Sequence, residues 1–331
     1  MLKYIIKRLA LSVLILIGVS LIIYFLIRLM PVDYIQNKIN TINQGGATIE
    51  QETIDKMYEM YGLEANPTFG GIVKGYLTWL KALLQFDLGT SFVYGIPVGE
   101  VITSHMGVSF AVALIATIFE FLIAIPLGIT AATHQYSLRD YIVTIFVMIG
   151  ISLPSFFFGQ MLKNLFAIKL DIFPIAGLVD GTSSATGLSL LADYAKHMFL
   201  PILTVVILSI GGRMRMTRTN MLEVMNSDYI RTARAKGLSE RKVINKHAFR
   251  NTLIPIVTSL AGLLPSLFSG AIITEQVFDL PGIGNVALKT MNSGDIPFIM
   301  GYNMFLALLS VIGVLLADLM YAVVDPRVKL E

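Results

Sequence analysis

Six long apolar stretches alternate with polar segments along the chain. The first, LALSVLILIGVSLIIYFLIRL at residues 9–29, makes a helix of roughly 32 Å, enough to cross a hydrocarbon core of about 30 Å. The fourth makes only roughly 22 Å of helix, so we expect it to extend into its flanks. The pattern predicts an all-α integral membrane protein. Its six transmembrane helices would cover 9–29, 108–131, 141–166, 198–212, 252–278 and 300–324.

The first stretch also has features of a signal peptide, because Lys3, Lys7 and Arg8 precede it. The apolar run is longer than a signal peptide needs, and no small-x-small cleavage site follows it. We therefore expect a retained anchor helix.

The distribution of Lys and Arg supports this arrangement. With the N-terminus in the cytoplasm, the inner segments carry sixteen of these residues and the outer segments carry seven, in agreement with the positive-inside rule. Ten of the sixteen lie in the inner loop 213–251, which would fall outside if the fourth stretch did not cross. We predict a multi-pass protein of the cell (cytoplasmic) membrane with both termini cytoplasmic.

The outer segment between the first two predicted helices, about 75 residues long, contains local helical signals. Thr48 and Gln51 form a capping-box pattern, and apolar residues follow at helical spacing until Gly62. A second helix is predicted over residues 72–86, with Trp79 at the membrane–water boundary.

Composition narrows the classes of function. Apolar residues make up 55% of the chain and charged residues 14%, against about 25% charged in a soluble domain. The absence of Cys excludes disulfides and thiolate metal sites. The four His residues form no pair at i,i+4 spacing, and we predict no metal site and no cofactor in this chain. Because the sequence has no P-loop and no H-E-x-x-H motif, neither ATP binding nor zinc protease activity is expected.

The basic loop has a pattern more specific than its charge. Ser227 caps a predicted helix that runs to Lys236. Gly237 then occupies the C′ position, where a left-handed backbone is usual. Ser239 caps a second helix that ends near Arg250. Two interpretations follow. The cations only retain the loop in the cytoplasm and contact lipid headgroups, or the elbow between the two helices, at residues 237–239, docks a partner protein.

The same loop carries a family resemblance. YIRTARAKGLSERKVINKHAFRNTLIP resembles the cytoplasmic-loop motif of ABC importer permeases, with Ala233 and Gly237 on its second Ala and its Gly. Arg231 and Thr232 replace the Glu and first Ala of that motif, and Pro255 comes late. These departures resemble those of the oligopeptide/dipeptide/nickel branch of the family, and the chain resembles the B-type permease of that branch. Further similar segments are IIKRLALSVLILIGVSLIIYFLIRLMP, YGLEANP, FDLGTSFVYGIPV, EQVFDLPGIG and DLMYAVVDPRVKL.

The resemblance implies the type I ABC importer permease fold. Residues 1–107 would hold the anchor helix and an extracytoplasmic helical segment, 108–324 the permease core, and 325–331 a cytoplasmic tail. The chain would form half of the pathway for oligopeptides or dipeptides. Its partners would be a second homologous permease, two ATPases that hold ATP and Mg²⁺, an extracytoplasmic substrate-binding protein and membrane lipid, with no nucleic acid.

The resemblance also implies site residues. The 228–250 loop would couple to an ATPase through Ala233, Gly237, Leu238, Ser239, Glu240 and Arg241. The outer gate and the face for the binding protein would include Glu275, Asp279, Pro281, Gly282 and Gly284. From the residues alone, an ordinary Pro-Gly turn explains the latter group equally well.

Polar residues inside the spans are candidates for the pathway. Glu120 lies mid-span, where a carboxylate is costly, so it lines a cavity or locks two helices. Asp318 is near the end of the last span, where its side chain can partly reach the inner membrane interface, so its charge is less costly there. Ser152 and Ser155 flank a proline that predicts a kink, with pore lining as the second interpretation.

Other functions fit less of the sequence. Nickel or a metal chelate is the alternative substrate for the same role. An ion-coupled secondary transporter is the alternative from a different class, but a single mid-span carboxylate is its only support. An enzyme or a membrane scaffold leaves the elbow unexplained.

Overall fold

A computed structural model describes residues 2–28, 69–180, 186–259 and 262–324, and these are mainly helical. The predicted capping box at Thr48 lies outside them. The helices in order are α1 (Leu2–Arg28), α2 (Phe69–Leu84), α3 (Val98–Thr133), α4 (Leu138–Ser152), α5 (Ser155–Leu162), α6 (Leu188–Met225), α7 (Asp228–Ala235), α8 (Glu240–Lys242), α9 (Phe249–Ser259), α10 (Leu263–Ser269), α11 (Ile272–Phe278), α12 (Ile283–Asn292) and α13 (Ile296–Val324). Two π-helical turns, Lys163–Lys169 and Val243–Ala248, follow α5 and α8.

Four helices in the described ranges are long and apolar enough to cross a membrane: α1, α3, α6 and α13. A fifth crossing is possible if α4 and the continuous run Ser155–Lys169 form one span, although they are bent by 100°. The short fourth stretch lies inside the 38-residue helix α6, so it does extend into both flanks.

The kink predicted in 141–166 is present. Pro154 has φ −60° and ψ 136°, and Leu153 before it is also extended. Proline disfavours helical backbone in the residue that precedes it, and this explains the break. The Ser152 hydroxyl donates to the carbonyl of Met148 at 2.7 Å, one turn back.

The stretch 252–278 is not the single helix that the hydropathy predicts. It is divided among α9, α10 and α11. Gly270 ends α10 with φ +75°, a backbone conformation that residues other than glycine rarely adopt. The prediction of six continuous membrane helices is therefore not reproduced over the described residues.

The helices form two compact units, of which the first comprises Met106–Asn285 and the chain from Ser310. Within it α4 and α6 lie against each other through glycines. A Cβ on Gly150 would stand 2.8 Å from the backbone oxygen of Ile207. The contact also includes a bidentate pair in which Arg218 donates to Asp140 at 2.8 and 3.0 Å. Small residues and charge pairs thus hold these helices together.

The second unit comprises Leu2–His105 and Val286–Leu309. In it Tyr24 of α1 stacks on Trp79 of α2 with ring centroids 5.9 Å apart, so the only Trp of the sequence packs against α1. The buried carboxylate of Asp295 accepts the Ser91 hydroxyl at 2.5 Å and the amides of residues 92, 93 and 298. This carboxylate joins the loop before α3 to the first turn of α13.

The close glycine contact predicts the effect of a single methyl group. Gly150→Ala would place a Cβ against backbone that cannot rotate away, so we expect α4 and α6 to separate and the free energy of unfolding to fall by about 1–3 kcal/mol. The matched control is Gly212→Ala, where no atom lies within 4 Å and helix propensity favours Ala. Thermal unfolding of the purified chain in detergent measures both, and equal midpoints would contradict the packing argument.

Candidate functional site

The elbow of the basic loop has the geometry that its sequence predicts. Gly237 has φ +75° and follows the last residue of α7 and its C-cap Lys236. The amide of Gly237 donates to the carbonyl of Arg234 at 2.9 Å, and the amide of Leu238 to that of Ala233 at 3.4 Å. These two bonds form a Schellman motif, which requires the left-handed residue. The elbow is a defined turn and not an irregular loop.

Apolar side chains anchor the elbow to the ends of two long helices. Ile230 and Ala233 of α7 are buried with Ala132 of α3 and Met221 of α6. Val243, in the π-helical turn, belongs to the same cluster. Of the six predicted coupling residues, Ala233 therefore faces inward, whereas residues 237–241 are exposed at the tip. The tip is free to contact a partner while its base is fixed in the core.

A charge pair closes the elbow. Arg234 donates two hydrogen bonds to the Glu240 carboxylate, at 2.7 and 3.2 Å, and so joins α7 to α8. These bonds hold the pKa of the Glu240 carboxyl below its usual range and outweigh the opposing effect of desolvation. The stabilisation is present above the ordinary Glu pKa and is lost as pH falls through the lowered one. Both side chains are substantially exposed, so salt screens the pair.

The second helix of the elbow differs from its prediction. Ser239 has N-cap backbone angles, but its hydroxyl makes no capping hydrogen bond, and the same is true of Ser227. The helix does not end near Arg250: it continues through the π-helical turn into α9 and reaches Ser259. The extra residue of a π turn lets the helix continue where regular periodicity breaks.

The predicted outer-gate residues converge on one buried carboxylate. Glu275 is fully buried in α11 and accepts the Ser109 hydroxyl of α3 at 2.6 Å. It also accepts the amides of Ala271 at 3.0 Å and Asn285 at 2.9 Å. A hydroxyl and two amides can stabilise a buried charge. Glu275 thus holds the segment after α11 in place. An ordinary Pro-Gly turn forms without such a buried carboxylate.

The glycines of this segment are explained by the carboxylate. A Cβ on Gly282 would lie 2.4 Å from Glu275 Oε2, and one on Gly284 would lie 2.8 Å from the same atom. Asp279 ends α11 in the left-handed conformation, and Pro281 follows in the turn. All five predicted residues therefore lie at or beside the Glu275 hydrogen-bond network.

Glu120 has a partner that sequence reasoning missed. Arg213 of α6 donates to Glu120 Oε1 at 3.0 Å, to the Ser259 hydroxyl at 2.7 Å, and stacks on the Phe121 ring at 4.4 Å. The arrangement joins α3, α6 and α9, as the helix-locking interpretation requires. The sequence does contain a signal for this partner. Arg213 directly follows an apolar stretch, so its side chain is still within reach of the membrane core.

The other pathway candidates do not gather around Glu120. Ser152 is at the end of α4, Ser155 begins α5, and Asp318 is half-buried in α13. The structure thus brings together the predicted coupling residues of the elbow and, at a separate place, the predicted outer-gate residues around Glu275. It does not bring together the four pathway candidates.

Comparison with known proteins identifies the family. Residues 124–330 match the model of the binding-protein-dependent transport system inner membrane component. The chain is 35% identical over 330 residues to the oligopeptide transport system permease protein AppB of Bacillus subtilis (strain 168), covering 99% of this chain and 100% of that protein. It is 32% identical over 346 residues to the dipeptide transport system permease protein DppB of Escherichia coli (strain K12), covering 99% of both.

A solved structure supports the same fold. The inward-facing MetNI methionine ABC transporter contains a chain that aligns with a TM-score of 0.53 at 15% identity, over 68% of this chain and 97% of that one. The family match and the two full-length relatives confirm the resemblance inferred from the sequence. The chain belongs to the family of binding-protein-dependent transport system inner membrane components, and it is a permease subunit of an ABC importer.

Proposed function

We propose that this chain forms half of the translocation pathway of a peptide importer and receives the force of ATP hydrolysis through its elbow. The observation that carries the proposal is the exposed tip at residues 237–241 on a base buried among α3, α6 and α7. A rigid tip on a fixed base can transmit displacement. ATP and Mg²⁺ would be held by two partner ATPases, because the sequence lacks a nucleotide-binding motif.

The partners follow from this assignment. A second, homologous permease would complete the pathway, and an extracytoplasmic protein would deliver the substrate. The exposed cations Arg241, in the tip, and Lys242, directly after it, suit an acidic cleft on an ATPase. The Glu275 segment is the proposed outer gate and receptor face, since its backbone is held by buried hydrogen bonds.

Peptides are the proposed substrate class. The full-length relatives are named as oligopeptide and dipeptide permeases, and this favours peptides over nickel or a chelate. Both termini would be cytoplasmic, with six crossings. The broken segment α9–α11 would supply one of them, because its apolar part Leu263–Phe278 is too short to cross alone.

Cysteine labelling tests the orientation. This Cys-free chain gives a clean background, so Ser239→Cys should resist a membrane-impermeant thiol reagent in intact cells and react after lysis. The control is Ser189→Cys, exposed at the start of α6 on the predicted outer side, which should react in intact cells. Labelling of Cys at 239 in intact cells would contradict the topology.

Two substitutions at Gly237 test the coupling role. Gly237→Val should strain the turn by about 1–2 kcal/mol, because a β-branched residue fits poorly at positive φ. Gly237→Asn is the matched control, since Asn tolerates the left-handed conformation. We expect the Val complex to assemble and bind loaded receptor but to show little substrate-stimulated ATP hydrolysis, with the Asn complex near wild type. Full stimulation in the Val complex at equal expression would show that the elbow does not couple.

A double-mutant cycle tests the role of Glu120. Glu120→Gln leaves the Arg213 charge without its counter-ion in a mostly buried site, so the free energy of unfolding should fall by roughly 3–5 kcal/mol at most. Arg213→Gln should act similarly, and the double variant should recover part of the loss. Uptake per assembled complex is measured in parallel. Additive stability losses would exclude the helix lock, and an uptake defect confined to charged peptides would instead place Glu120 in the pathway.

A further inference from the structure

Three potential metal ligands meet where the loop before α6 reaches the first turns of that helix. Asp193 and His197 stand one turn apart on α6, and Asp180 belongs to the loop. One ligand atom from each residue lies within 4.8 Å of the others. The proposed transport role uses none of them. The pair at i,i+4 spacing in this cluster is Asp193 and His197, so the absence of a His–His pair from the sequence does not exclude it.

The hydrogen bonds of His197 assign its tautomer. Its Nδ1 is 3.0 Å from the backbone oxygen of Asp193 and 3.2 Å from Oδ1 of the same residue. Both are acceptors, so Nδ1 carries the proton. In the neutral ring Nε2 then presents a lone pair, and it faces Asp180 Oδ1 at 3.6 Å. A lone pair and a carboxylate oxygen repel each other, and either a metal ion between them or a second proton on the ring would remove the repulsion.

The chemistry and spacing of the ligands suit a metal ion. Two ligands about 2.1 Å from a tetrahedral Zn²⁺ lie about 3.4 Å apart, close to the separation of Nε2 and Asp180 Oδ1. Metal-bound histidines usually donate their other N–H to a carbonyl or carboxylate, as Nδ1 does here. The His197 side chain is only 1% exposed, so its orientation is fixed, whereas Asp180 is open to solvent and gives the ion access.

We propose that Asp180, Asp193 and His197 bind a divalent transition-metal ion of the zinc type, through one imidazole and two carboxylates. The ion reinforces the contact of the loop with α6, where the amide of Asp180 donates to Asp193 Oδ2 at 3.2 Å. The same loop is held at its other side by the amide of Gly177, which donates to the carbonyl of Phe278 at 3.0 Å. Bound metal therefore stabilises the loop beside the end of α11, next to the Glu275 network, on the side that we assign as extracytoplasmic.

Zn²⁺ binding by the purified full-length chain tests the site. After chelator treatment of a protein without a His tag, we expect saturable uptake of one Zn²⁺ that raises the thermal midpoint. Asp180→Asn should weaken this uptake at least about tenfold and abolish the shift, because second-sphere changes alone cost 10–100-fold. The matched control is Asp171→Asn in the same loop: it removes the same charge, lies outside the cluster and keeps a residue that tolerates φ +52°.

The outcomes separate the site from other causes. Equal Zn²⁺ uptake by wild type, Asp180→Asn and Asp171→Asn would overturn the proposal, because the ion would then bind elsewhere. Absence of saturable uptake by the wild-type chain would also overturn it. His197→Gln, which keeps a polar side chain of similar size, should match Asp180→Asn. The readout is binding stoichiometry, so it does not depend on peptide transport.

Discussion

Buried carboxylates with partners on other helices hold together the helices of the unit Met106–Asn285. In lipid, apolar helices gain little from packing on one another, so small residues and hydrogen bonds determine which faces meet. Glu120 is paired with Arg213, Asp140 with Arg218, and Glu275 with a hydroxyl and two backbone amides. A largely buried charge that lost its partner would be left uncompensated, and this is strongly destabilising. The carboxylates therefore specify the helix contacts that hydropathy leaves open.

Local rules made the elbow predictable from sequence. The positive φ of Gly237 and the start of α7 depend on residues within one or two turns, so the pattern of glycine, serine and charge is sufficient. The extension of α6 beyond its apolar core was predictable for another reason, because a membrane of fixed thickness requires a minimum helix length.

Long-range partners and helix breaks were not predictable in this way. Glu120 and Arg213 are 93 positions apart, and no local pattern connects them. The apolar run 252–278 is long enough for one span and was predicted as one, although it contains two prolines and two glycines. The break between α10 and α11 falls at Gly270, whose missing side chain leaves room for the Glu275 carboxylate. Even there, the likeness of EQVFDLPGIG to its family located the residues without revealing the buried charge that organises them.

The long helix α6 connects the features described above. It spans roughly 57 Å, with His197 near its start, Arg213 and Arg218 along its length, and Met221 in the apolar base of the elbow. Pro201 lacks an amide proton, so the carbonyl of His197 loses its helical donor. The helix therefore lacks one backbone hydrogen bond one turn after the proposed metal site, although it continues unbroken to Met225. A displacement of the elbow would move α3 and α6 together, because both helices contribute to its apolar base and the Glu120–Arg213 pair joins them.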